Sequence, residues 1–145
     1  MNFNSICDRL KAFGLAVLLF IACNGCRPNR HAAIAGTWQT DSISTFVNGL
    51  TRTNNVFDAH WSLFEYRADG TVLERRKQQF RTYNYHFVSQ DTLAYQDSTG
   101  TTIGTYQILK LDEERLVLKK NQKSFLPGAN QELYEVRYFS KQKQE

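Results

Sequence analysis

The chain has 145 residues and a mass of 16.8 kDa, with 18 Lys and Arg against 14 Asp and Glu, 41% hydrophobic residues and 13% aromatic residues. One core fits this length and two do not. The aromatic content excludes intrinsic disorder, and three Cys with eight Gly and two Pro exclude disulfide-framework and collagen-like classes.

Fifteen of the first 22 residues are apolar, and Arg9 and Lys11 precede an uninterrupted run from Phe13 to Ala22. Ten apolar residues are half of what a spanning helix needs, about 20. A short apolar run behind positive charge is the pattern of a signal peptide. The segment Phe20-Ile-Ala-Cys23 then resembles the bacterial lipobox. That resemblance implies cleavage after Ala22 and acylation of Cys23, with Cys26 as second choice. Two or three acyl chains, at about 0.8 kcal/mol per buried methylene, make a stable membrane anchor. Asn24 stands where an Asp would retain the protein in the inner membrane, so outer-membrane sorting is implied, with the domain facing the periplasm. All three cysteines (Cys7, Cys23 and Cys26) lie in this leader region, leaving none for a disulfide or Cys-based metal site in the body.

The domain plan is therefore a signal helix over 1–22, a polar tether over 23–33, a folded domain over 34–140 and a frayed tail over 141–145. Along the folded part, turn signals recur at short spacing: Asn48-Gly49, Asp69-Gly70, Gln90-Asp91, Ser98-Thr-Gly100, Asp112-Glu-Glu114 and Pro127-Gly-Ala-Asn130. Segments rich in Thr, Tyr, Phe, Val and Ile lie between them and read as strands. Tyr83, Tyr85 and Phe87 share one face. Tyr106 and Ile108 share another, and Tyr134, Val136 and Tyr138 alternate with Glu135 and Arg137. Residues 71–80 read as strand, with one helical segment as the alternative because Val72, Arg76 and Phe80 recur every four residues. The expectation is an all-β fold: a small antiparallel up-and-down barrel of eight to nine strands, closed so that no edge is left open.

Gly36-Thr-Trp38 at the start of the first strand resembles the lipocalin signature. The blocks that follow it are Leu63-Phe-Glu-Tyr-Arg-Ala-Asp-Gly-Thr71, Asp91-Thr-Leu93, Tyr106 to Leu111, Leu116-Val-Leu118 and Tyr134 to Tyr138. Their order is similar to lipocalin-like domains on small lipoproteins of Bacteroidota. The resemblance implies that Trp38 plugs one end of the barrel beneath an Arg of the last strand, which would be Arg137. It also implies a small apolar or amphipathic ligand, with Phe64, Tyr83, Tyr85, Phe87 and Tyr106 as candidate lining. The Arg-x-Tyr carboxylate grip of fatty-acid-binding relatives is missing, because Tyr138 follows Arg137 directly and points to the opposite face. The alternative is a solid barrel that docks an envelope partner through its outer surface.

No pattern asks for catalysis, a cofactor or a metal. His31, His60 and His86 are widely separated, and no Gly-x-Ser-x-Gly, Gly-rich phosphate loop or His-Glu-x-x-His is present. The basic groups Arg75-Arg-Lys77 with Arg81, and Lys119, Lys120 and Lys123, read as solvated faces. They make no case for nucleic acid and suit at most an anionic surface.

Overall fold

In the computed structural model, residues 29–55, 61–125 and 130–143 are described. The leader, Cys23, Cys26, His60 and most of the Pro127–Asn130 turn lie outside these residues. One short helix, α1 (Arg30–Ile34), is followed by nine strands: β1 (Gly36–Val47), β2 (Leu50–Asn55), β3 (Leu63–Tyr66), β4 (Thr71–Arg76), β5 (Gln79–Ser89), β6 (Thr92–Gln96), β7 (Thr102–Leu111), β8 (Arg115–Asn121) and β9 (Leu133–Lys141). All pairings are antiparallel, in the order β2-β1-β3-β4-β5-β6-β7-β8-β9, and β9 returns to pair with β1. Eight strands close a barrel, and β2 is an extra strand on its wall.

The turns that the sequence marks build this meander. Asn48 and Gly49 both take positive φ (48° and 83°), the geometry of a two-residue hairpin turn whose twist matches its strands. Gly70 and Gly100 also take positive φ where β3 meets β4 and β6 meets β7. Residues 71–80 are neither one strand nor a helix. They fold into a hairpin that turns at Lys77 (φ 54°), with Arg76 paired to Gln79 and Arg75 to Phe80. Positive φ on a lysine is uncommon, and no Gly or Asn marks the site in sequence.

β1 organises the barrel because it serves three neighbours. Gly36 to Gln39 pair with β3, Ser42 to Val47 pair with β2, and nearly the whole strand pairs with β9. The change of neighbour coincides with a register shift against β9 between Thr40 and Ser42, where Asp41 bulges and accepts a hydrogen bond from Ser140 Oγ at 2.8 Å. A bulge bends its strand and increases the local twist. The Thr40 hydroxyl donates to the Ser62 carbonyl at 2.9 Å, and beyond that tie β2 and β3 separate.

The end of the barrel nearest α1 is sealed. Ile34, Trp38, Val72, Leu93 and Leu116 are fully buried there. Residues 30–33, expected in the polar tether, instead form α1, capped by the Asn29 side chain, which accepts from His31 N and Ala32 N. The Trp38 indole donates to the Ile34 carbonyl at 2.7 Å, satisfying both groups inside the core. His31 lies 4.9 Å edge-on to Phe87, and Arg30 reaches Asp91 at 3.4 Å, so the helix lies across the barrel end.

Candidate functional site

Two half-open clefts lie on the barrel away from Trp38. On β9 the apolar alternation is split, since Val136 is buried. Tyr134 stacks on Phe46 at 4.5 Å and Tyr138 is exposed, while Arg137 and Phe139 turn inward. The expected partner of Trp38 also changes. Lys141, directly opposite Trp38 in register, places Nζ 5.0 Å from the indole, whereas Arg137 pairs with Ile43 further along and lies 5.7 Å from the Tyr106 ring. Register, set by the bulge at Asp41, decides which cation covers the tryptophan. Gly36, the third signature residue, has φ 123°, and a Cβ there would come within 2.7 Å of Lys141 Cε.

The clefts are two adjoining chambers. The larger, about 670 Å³, lies in the opening between β2 and the β3–β4 hairpin. Thr53 and Asn54 form one side of it, Trp61 and Ser62 the other, with Glu74, Arg76 and Arg137 facing in. The smaller, about 220 Å³, has five aromatic side chains in its lining, Phe64, Tyr83, Tyr95, Tyr106 and Phe139, with Ile103, Gly104 and Leu118. Phe64, Glu74 and Arg137 line both chambers and form the boundary between them.

The boundary groups are held in place. Glu74 accepts from Ser62 Oγ at 2.7 Å and from the Tyr83 hydroxyl at 3.0 Å. Arg137 donates through Nε to Glu135. Burial opposes the Arg137 charge, but Tyr106 and Glu135 beside it hold its pKa above the ordinary arginine value, so it stays a cation. The Tyr66 and Tyr95 hydroxyls hydrogen-bond to each other inside the wall, and burial pushes both well above the usual phenol range. They remain neutral donors and acceptors at any physiological pH.

Of the five residues expected to line a ligand site, Phe64, Tyr83 and Tyr106 border the chambers. Tyr85 and Phe87 belong to the sealed end. The Tyr85 hydroxyl donates to the Arg67 carbonyl at 2.8 Å, and both rings pack near His31. Sequence reasoning did not single out Tyr95, Glu74 or Trp61. The alternation of Leu93 and Tyr95 was available as a signal, but nothing marks Glu74, and Arg76 read as part of a solvated basic face. Among the described residues no three His, Cys, Asp or Glu side chains converge as a metal site. Comparison of the chain with protein-family models, curated proteins and solved structures finds no match.

Proposed function

We propose that this chain is a lipid-anchored protein of the bacterial outer membrane, facing the periplasm, whose lipocalin-like barrel binds a small amphipathic molecule. The observation that carries the binding reading is the pair of adjoining chambers of about 670 and 220 Å³, one polar and one aromatic. Small-molecule sites fall in this size range and combine apolar walls with a few placed polar groups. A solid interaction barrel would fill such spaces with its own side chains, so the two clefts favour the ligand reading. The anchor reading rests on the apolar run, the lipobox-like Phe20-Ile-Ala-Cys23 and the confinement of all cysteines to the leader region.

Native mass spectrometry of the intact protein extracted from membranes tests both parts. The expected result is an acylated mass mapped to Cys23 together with a retained small molecule. An unacylated, uncleaved chain would refute the anchor. A barrel that retains nothing, and in calorimetry takes up no small aromatic amphiphile, would refute the binding reading.

A further inference from the structure

The polar and aromatic chambers differ in a way that specifies the ligand. Taking the binding reading as its basis, we propose that the barrel selects a single-ring or short-chain organic anion, with its apolar end in the aromatic chamber and its carboxylate at Arg137.

Charge argues for the anion. Among the described residues, Arg76 and Arg137 line the chambers with Glu74, Lys120 stands beside the Tyr106 ring and Glu135 pairs with Arg137, three cations to two carboxylates. Lys120 belongs inside because its Nζ lies 5.3 Å from the Tyr106 ring and 3.4 Å from where a Gly104 Cβ would stand. A net positive cleft with low-dielectric walls concentrates anions. Arg137 occupies the boundary, lining both chambers, and among the described residues Glu135 takes its Nε alone. A guanidinium carries five N–H donors in a planar fork that suits a carboxylate.

Volume argues for the ring. At about 30 Å³ per water-sized group, 220 Å³ holds roughly seven such groups, a benzene ring with one substituent and not a long acyl chain. Tyr83, Tyr95 and Tyr106 present ring faces and edges there; Tyr95 and Tyr106 already meet edge to face at 5.1 Å. An added aromatic ring continues that geometry. The long-chain alternative would have to leave the aromatic chamber and lie along the polar one, against Asn54, Thr53 and Ser62.

The experiment is calorimetric titration of the intact chain with four probes: 3-phenylpropionate, its neutral amide, 3-phenylpropylamine and hexadecanoate. A charge-assisted hydrogen bond predicts that the carboxylate binds about 10- to 100-fold more tightly than the amide, and the amine more weakly than either. Arg137→Met should bring carboxylate and amide to the same affinity. Glu74→Gln should act in the opposite direction, tightening the carboxylate and sparing the amide, and keeps the test decisive if Arg137→Met does not fold. Equal binding of carboxylate and amide, or preference for the amine, overturns the anion assignment while leaving the binding reading intact. Hexadecanoate binding more tightly than 3-phenylpropionate overturns the size assignment. Binding of none of the four overturns the binding reading, and this inference with it.

Discussion

Lys141 Nζ stands 5.0 Å over the Trp38 ring and 3.4 Å from the Ala33 carbonyl, so the last residue of β9 pins both the first strand and the helix that precedes it. A partly desolvated cation over an indole is worth about 1–2 kcal/mol. Lys141→Met should therefore lower unfolding free energy by roughly 1 kcal/mol and shift the Trp emission, measured by denaturant titration followed by fluorescence. Arg137→Met should leave Trp38 emission unchanged, because that guanidinium lies against Tyr106 instead.

Gly36 gives a second test of the same corner. Its φ of 123° strains any residue with a Cβ, and the 2.7 Å that would separate that Cβ from Lys141 Cε forces the lysine side chain off its place. Gly36→Ala should cost on the order of 1–3 kcal/mol, read as a lower thermal midpoint. In a Lys141→Met background the steric part of that cost should shrink and the backbone part should persist.

The buried tyrosine pair predicts non-additivity. Tyr66→Phe leaves the Tyr95 hydroxyl without its partner, and the reverse holds for Tyr95→Phe. Each single change should cost about 1–3 kcal/mol, since an orphaned buried hydroxyl keeps its desolvation penalty. The double variant should cost less than the sum, a coupling that a double-mutant cycle in denaturant measures directly.

The candidate site shows where sequence patterning stops being informative. Asn48-Gly49 and Asp69-Gly70 announce their hairpins because their backbone requirements are local. The turn at Lys77 carries no such mark, since it is imposed by pairing of β4 with β5. The apolar alternation Tyr134-Val136-Tyr138 reads as a core face, yet of the three only Val136 is buried, and Arg137 from the alternate face lines both chambers. Periodicity identifies two faces of a strand but assumes a dry interior when it orients them. A barrel with polar groups facing its chambers breaks that assumption, and this is also why Glu74 was not placed in a site.

Acid sensitivity should be traceable to the turn between β7 and β8. Backbone N–H groups of Glu114 and Arg115, with Lys110, hold Asp112 down to about 2 from an ordinary 3.8. A carboxylate depressed on folding contributes stability that is fully present above its unfolded pKa and is lost as pH falls through the folded one. The difference in thermal midpoint between the parent chain and Asp112→Asn should thus be constant above about pH 4 and decline towards zero near pH 2. A difference that persists unchanged at pH 2 would place the contribution in hydrogen-bond geometry instead of charge.

The pairing of β1 with β9 has a consequence for the order in which the molecule can assemble. Trp38 and Lys141 face each other across the final seam, although most of the chain separates them. From β3 to β8, by contrast, every seam joins strands that follow one another through a short turn. Local hairpins form quickly, and contacts between distant residues wait on the entropy of closing the chain. The meander from β3 to β8 can therefore zip up early, but its two edges stay unmatched until β9 emerges and meets β1. Folding of this barrel is gated by its last nine-residue strand.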